Sequence, residues 1–529
     1  MKTTYIKNLI LFNALLFTLS IVCTSCADYL EEEPRTQVDI NAFYQNESDA
    51  LAGLTGAYAQ LKSTNGYYRQ QFLSNLYAAS DQGQGSFNHR DFRFGTITNA
   101  EPLIERSWVD IYVAIKDANN VIARVPDVPE IDEELRLRIQ GEARFLRALH
   151  YFNLARCYGE VPLRTTPVLP GEEGLPLSPL QDIYDVIIED LLFAGEHCWG
   201  YNETRNGFSN NIGRVTKASA HGLLAKVYVQ LASSIRTAQG GVEGNARYLG
   251  FTNAPDYYYQ KAIEQANFVF QEPFYRLSSD LQEYETIFDA TNGNNFEMLF
   301  DIQGASIAGQ GTAVSNLFSP RNSGLAGGGF GGTNRLQPQF VNRSIDKFDL
   351  RYLNTIIQNY QDDTFIYQLG SGLTGYTRTR IENGSSAGNL FRVFTGKYID
   401  TDATTEYTSQ QNWHVIRLAD VYLLRAEAMA ELNQSPAMAN DDINAVRNRA
   451  GMDDIDYTDL SMDEFREELL RERGVELYME GHRFFDLTRM GVYDVYCRRT
   501  YGNTVGARGS EDYTWPIPLI EASANPNIE

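Results

Sequence analysis

Apolar residues recur along most of this chain at the three- and four-residue spacing of amphipathic helices. Leu51, Leu54, Tyr58 and Leu61 share one helix face, and Trp108, Tyr112, Ile115 and Ile122 share another. Ile139, Ala143, Leu146 and Leu149 begin a longer stripe, which Gly159 stops just before Pro162. Ser178-Pro179-Leu180-Gln181 has the form of a capping box, with a serine to cap, a proline for the first turn and a glutamine to reach back. It predicts a helix that buries Tyr184, Ile187, Leu191 and Cys198. Ala220, Leu224, Val227 and Leu231 predict the next helix, and Ala262, Ala266 and Val269 another. Near the C-terminus Ala419, Tyr422, Ala426 and Ala430 form a small-residue stripe. Ser435-Pro436 then opens a helix carrying Ile443 and Val446, which Gly451 closes. Ser461-Met462-Asp463-Glu464 is a second capping box.

Small residues on paired helices let backbones approach closely, which is the packing of tetratricopeptide-type hairpins. No strict repeat of that period is present, so periodicity by itself predicts helical hairpins, irregularly spaced. Three polar stretches interrupt them. Residues 63–101 are rich in Gly, Asn, Gln and aromatics, 303–340 in Gly, Ser and Asn, and 360–412 are polar with short β-like pieces. Loops this long in a compact domain usually carry function. Trp108 and Trp413 lie on helical stripes or at helix entries and are expected in the core.

The first residues change the picture. Lys2 and Lys7 precede a short apolar run from Leu9 to Val22, and the small residues Thr24 and Ser25 precede Cys26. This is the layout of a secretory signal, predicted over residues 1–25, with Cys26 lipidated after cleavage. The alternative is ordinary secretion with cleavage after Ala27. The formal charge of −23 becomes −25 once residues 1–25, with two lysines and no acid, are removed. So acidic a chain repels nucleic acid and anionic headgroups, so membrane contact is expected through the lipid anchor alone.

Candidate chemistry is sparse. Cys157, Cys198 and Cys497 are too few and too widely spaced for a disulfide framework and are expected as buried thiols, with one bridge possible. No Cys/His cluster has zinc spacing, and no metal or cofactor is expected. Gly327 to Gly332 formally satisfies G-x-G-x-x-G, but it lies in a low-complexity loop with no following helix to receive a pyrophosphate. Glu467, Glu468, Glu472 and Glu476 stand at helical spacing beside Arg466, Arg471 and Arg473, which predicts a salt-bridged helix face rather than a catalytic pair.

The segment from Arg471 to Leu487 (RERGVELYMEGHRFFDL) closely resembles the C-terminal signature of the SusD/RagB family of outer-membrane nutrient-binding lipoproteins. Arg417 to Ala428, Ile443 to Gly451, Pro516-Ile517-Pro518 and Ala524 to Asn527 are similar to further family blocks in the same order. Glu142 to Ala148, Tyr158 to Leu163, and Cys26 followed by Asp28-Tyr29-Leu30-Glu31 extend the likeness to the N-terminal half. Cys23 departs from the aliphatic residue usual at its place. The family pattern also implies a tail running a few residues beyond Glu529.

The resemblance implies a mainly α fold of tetratricopeptide-like helix pairs with long irregular loops and a few short strands. Regions 26–240 and 241–529 would pack as one unit. It implies no enzymatic activity and no cofactor. It implies a cell-surface, lipid-anchored protein of the outer membrane. That protein captures an oligosaccharide, or alternatively a peptide, and delivers it to a SusC-like TonB-dependent transporter. A glycan-cleaving enzyme on a helical scaffold and a structural or adhesive surface protein are the competing classes. Family ligand sites draw on the loop after the first helices and on the loop after Glu297 to Phe300. Here those loops offer Asp81, Phe87, His89 and Arg90 first, with Phe330 as a stacking platform and Arg335 beside it. Tyr67, Tyr68, Gln82, Asn88, Arg93, Phe318, Arg321 and Asn322 lie in the same loops.

Overall fold

The computed structural model describes residues 43–169, 171–172, 174–205, 212–307, 309–326, 332–503 and 507–528. The lipidation candidate Cys26 and the platform candidate Phe330 lie outside these residues.

Ten helices carry the scaffold: α1 (Glu47–Ala59), α2 (Gln71–Ala79), α3 (Pro102–Arg124), α4 (Glu133–Tyr158), α5 (Leu180–His197), α6 (Lys217–Gln239), α7 (Pro255–Phe270), α8 (Leu418–Asn433), α9 (Asn440–Asn448) and α10 (Met462–Glu476). From α3 to α9 each helix packs against the next, so the chain is wound as successive helix pairs. The alanine stripes are the reason these helices approach closely: Ala220 on α6 and Ala419, Ala426 and Ala430 on α8 are wholly buried. Tyr422 on the same stripe is half-buried and lies 4.3 Å from the ring of Phe270 on α7. One continuous hydrophobic core takes residues from both halves of the chain, including Trp108, Trp413 and Trp515.

Two small antiparallel sheets complete the fold. Strands β1 (Met298–Ile302) and β6 (Trp413–Arg417) pair in the core with every residue buried. Strands β2 (Asn359–Gln361), β3 (Phe365–Leu369), β4 (Tyr376–Arg380) and β5 (Ser386–Leu390) form a meander in sequence order, with Tyr360 opposite Tyr367 and Tyr367 opposite Arg378.

Of the two capping boxes expected, one forms and one does not. The box at Ser461 forms in full: its hydroxyl accepts from the Glu464 N–H, and the Glu464 carboxylate accepts from the Ser461 N–H at 2.9 Å. Gly159 ends α4 at φ 80°. The box at Ser178 does not form. Its N–H donates to the Val161 carbonyl and its hydroxyl accepts from the Leu163 N–H, so Ser178 is tied down beside the Pro162–Leu177 β-bridge and α5 starts one residue too late to be capped by it. Pro436 opens a 3-10 turn, Pro436–Ala439, before α9.

The acidic series on α10 is not a surface face. Glu468 does pair outside with Arg471. Glu472 and Glu476, however, are fully buried. Glu472 binds Arg351 and Arg447, while Glu476 binds Arg417 at 2.7 Å together with Arg449 and Arg351. Glu480 accepts from Arg417 and Lys397, each at 2.7 Å. Burial alone would raise the Glu476 and Glu480 carboxyls. The surrounding cations, Arg417 foremost at Glu480, overcome it and hold Glu480 down at about 2 and Glu476 well below the usual carboxylate range. Burial in turn lowers Lys397 to about 8 against the pull of Glu480. The signature segment is therefore a charged keystone inside the core.

Candidate functional site

The two loops singled out from sequence meet through their backbones. The Gln84 N–H donates to the Arg335 carbonyl at 2.8 Å, the Gln337 N–H donates to the Gln82 carbonyl at 3.0 Å, and Gly83 bridges Leu336. Leu336 also donates to the Val393 carbonyl at 2.9 Å, which adds the segment after β5 as a third layer. Gly83 is required here: a Cβ would lie 2.7 Å from Tyr77 Cβ and 2.8 Å from its carbonyl oxygen. Side chains alternate across such a strip. Leu336 and Val393 point into the core, fully buried, and their neighbours Arg335 and Arg392 point the other way on one shared face.

Phe94, half-buried, extends this face. The guanidinium of Arg93 lies 4.4 Å from its ring centre and that of Arg90 5.4 Å. On the other side Phe391 stands 71% exposed, beside Arg392. The Tyr360 and Tyr367 rings stack at 4.2 Å nearby, close enough for the charge of Arg392 to act on both hydroxyls. Arg335 donates from Nε to Gln84 Oε1 at 2.9 Å and from Nη1 to the Gly332 carbonyl at 3.3 Å. Burial, reinforced by Arg392 and Arg93, lowers its guanidinium to about 10, so it stays charged at neutral pH.

The remaining candidates sit elsewhere. Asp81 is fully buried, and its carboxylate is held by Arg483 at 2.8 Å and by Arg343. A ligand does not reach it; its part is to anchor the loop to the signature segment. His89 is buried too. Its Nδ1 pairs with Ser86 Oγ at 2.8 Å, and desolvation lowers its pKa to about 4, so it is neutral at pH 7. Phe87 opens the turn Phe87–His89, and its side chain lies outside what the structure describes. Arg90 is exposed on the face. Tyr67, Tyr68 and Phe318 are core residues: the two tyrosines accept hydrogen bonds from Asn153, and Phe318 stacks on Trp413. Sequence reasoning missed Arg392, Phe391 and the tyrosine pair. The recurrence of aromatics and arginines through residues 360–392 was the available signal.

Nothing in the described residues assembles a catalytic constellation. Gly384-Ser385-Ser386-Ala387-Gly388 meets the G-x-S-x-G spacing, yet Ser386 begins strand β5 of a hairpin instead of sitting at a strand-to-helix turn, so no nucleophile elbow is formed. No three potential metal ligands cluster among the described residues. Cys157, Cys198 and Cys497 are all buried and unbridged.

Comparison with known proteins agrees with the fold. A model of the SusD family matches residues 287–529, and one described as "Starch-binding associating with outer membrane" matches residues 28–229. SusD-like protein P25 of Formosa agariphila is 27% identical, with 98% of this chain and 97% of the relative covered. The starch-binding protein SusD of Bacteroides thetaiotaomicron is 25% identical, with 100% and 99% covered. A solved laminarin-binding SusD-like protein superposes with a TM-score of 0.69 at 26% identity, over 92% of this chain and 99% of that one. With both halves matched and the fold shared over 92% of its length, the chain belongs to the SusD family.

Proposed function

We propose that the protein captures an oligosaccharide at the cell surface without cleaving it and hands it to a SusC-like TonB-dependent transporter in the outer membrane. The observation that carries this reading is the joining of three separate chain segments into one exposed face that mixes aromatic rings with hydrogen-bond donors. Sugar rings offer apolar C–H faces to rings such as Phe391, and their hydroxyls need polar partners such as Gln84 and Arg335. The printed names of the relatives, laminarin-binding and starch-binding, support a glycan over a peptide.

The non-catalytic reading has its own support. Glycoside cleavage needs a carboxylic acid that still holds its proton near neutral pH. The core acids Glu476, Glu480, Asp420 and Asp486 are held strongly ionised by arginines and lysines, and the carboxyls that burial does raise, Asp110, Asp190, Glu272, Asp289 and Asp512, are not among the residues of this face. The lipid anchor at Cys26 places the face outside the cell, and delivery follows from docking on the transporter.

Affinity electrophoresis of the purified protein against a panel of polysaccharides and peptides, with chromatography of the incubated glycans, tests this. Retardation by one glycan class with no small sugars released is expected. Steady release of small sugars, or retention by peptides only, overturns it. A Cys26→Ala chain should lose its membrane association, and capture of the membrane-bound protein should co-purify a TonB-dependent barrel.

A further inference from the structure

We infer that the face selects glycans bearing negative charge, carboxylated or sulfated, and that Arg335 and Arg392 are the residues that recognise the anionic substituent. This rests on the glycan-capture reading above and specifies its ligand.

The argument begins with charge placement. The chain carries 68 acidic against 45 basic residues, and many of its arginines are paired with carboxylates. On this face four arginines gather without such a partner. Arg90, Arg93, Arg335 and Arg392 form no ion pair with any carboxylate among the described residues. The charged groups that act on Arg335 are Arg392 and Arg93, so like charges face one another. Holding like charges together costs energy. A neutral sugar would leave that repulsion in place, whereas a carboxylate or sulfate would relieve it.

Geometry supports the same assignment. The strip that buries Leu336 and Val393 fixes Arg335 and Arg392 on the outward side of adjacent layers. Gln84 and the Gly332 carbonyl hold Nε and Nη1 of Arg335, leaving its Nη2 without a hydrogen bond among the described residues. The side chain of Arg392 makes none there either, and Arg93 Nε is buried without a partner. A guanidinium oriented by its own protein contacts, with donors left over, matches the planar fork that binds carboxylate or sulfate oxygens. Phe94 and Phe391 flank these donors, so a sugar ring can stack while its substituent reaches the arginines.

The test uses the purified protein in gels containing polygalacturonate, carrageenan or laminarin, which supply carboxylates, sulfates and no charge. Retardation by at least one of the two acidic polysaccharides is expected, and which one it is identifies the substituent. That retardation should fall when salt is raised from about 50 mM to about 500 mM, since exposed charges are screened. Arg392→Gln should weaken it by about tenfold, the worth of a charge-assisted contact, and Arg335→Lys should weaken it less. Arg392→Gln, whose side chain makes no hydrogen bond among the described residues, should melt with the parent. Retardation by laminarin alone, unmoved by salt and by both substitutions, overturns the inference and leaves glycan capture standing. Retardation by no polysaccharide overturns both. Acidic binding insensitive to salt and to both substitutions removes the arginines from recognition.

Discussion

Substituting Glu476 by glutamine tests the charged keystone directly. The side chain is wholly buried and its carboxylate serves Arg417 at 2.7 Å, together with Arg449 and Arg351. An amide of the same shape keeps the packing but removes the charge and turns a donor toward guanidiniums that need an acceptor. Removing one partner of a buried ion pair costs about 3–5 kcal/mol, because the charge left behind stays desolvated. Unfolding entropy near 60 °C is about 2.1 cal/mol/K per residue, which gives a chain of this length roughly 1 kcal/mol/K if it melts as one unit. Tm should therefore fall by about 3–5 °C at pH 7. The pH dependence follows from linkage. The folded carboxyl lies well below its ordinary value of 4.5, so its contribution is complete above pH 4.5 and is lost as pH falls toward the folded value. The gap between parent and variant should be widest above pH 4.5 and narrow below it. Scanning calorimetry from pH 7 to pH 3 measures both. A variant melting within about 1 °C of the parent at pH 7, or a gap that does not narrow in acid, refutes the reasoning.

Other consequences are as direct. Phe391→Ala should weaken glycan binding about two- to tenfold, the worth of one aromatic contact of about 0.5–1.5 kcal/mol, with Tm unchanged; calorimetric titration decides. Desolvation lowers the folded His89 pKa from 6.5 to about 4, so the unfolded chain binds more protons between those values and stability falls as pH drops through that window. His89→Gln should lose less stability than the parent between pH 7 and pH 4.5 in urea titrations. Burial raises the Cys157, Cys198 and Cys497 thiols, Cys497 to about 12, so a thiol reagent should label none of them in the folded protein and all three in denaturant.

The scaffold was legible because its helices announce themselves locally. The stripe from Ile139 to Leu149 and the box at Ser461 depend on neighbours in sequence, and both appear as expected. The box at Ser178 failed because its hydroxyl and N–H were claimed by Leu163 and Val161, partners that no short-range rule sees. The site divided in the same way. Its loops were identifiable by composition, and Arg335 does reach the face. Asp81 was misplaced because a carboxylate in a polar loop looks solvent-facing until Arg343 and Arg483 are found to surround it. Arg392 and Phe391 were overlooked because only the pairing of Leu336 with Val393 brings them there. The acids of α10 were identified as ion-paired, but their partners Arg351, Arg417 and Arg449 come from distant elements, so their burial was hidden.

The Asp81–Arg483 pair has a temporal meaning. Its members are 402 positions apart, and beside it Gln82 binds the backbone of Gly474 and Met479 while Tyr493 and Tyr501 bind the carbonyls of Ala79 and Ser80. The loop around Asp81 thus waits for the last tenth of the polypeptide before its anchoring contacts are complete. A molecule ending before Gly474 would leave Asp81 with Arg343 as its ion-pair partner and without the Gly474, Met479, Tyr493 and Tyr501 contacts, so the loop would open more readily. Completion of synthesis is in this way a precondition for a fully anchored loop.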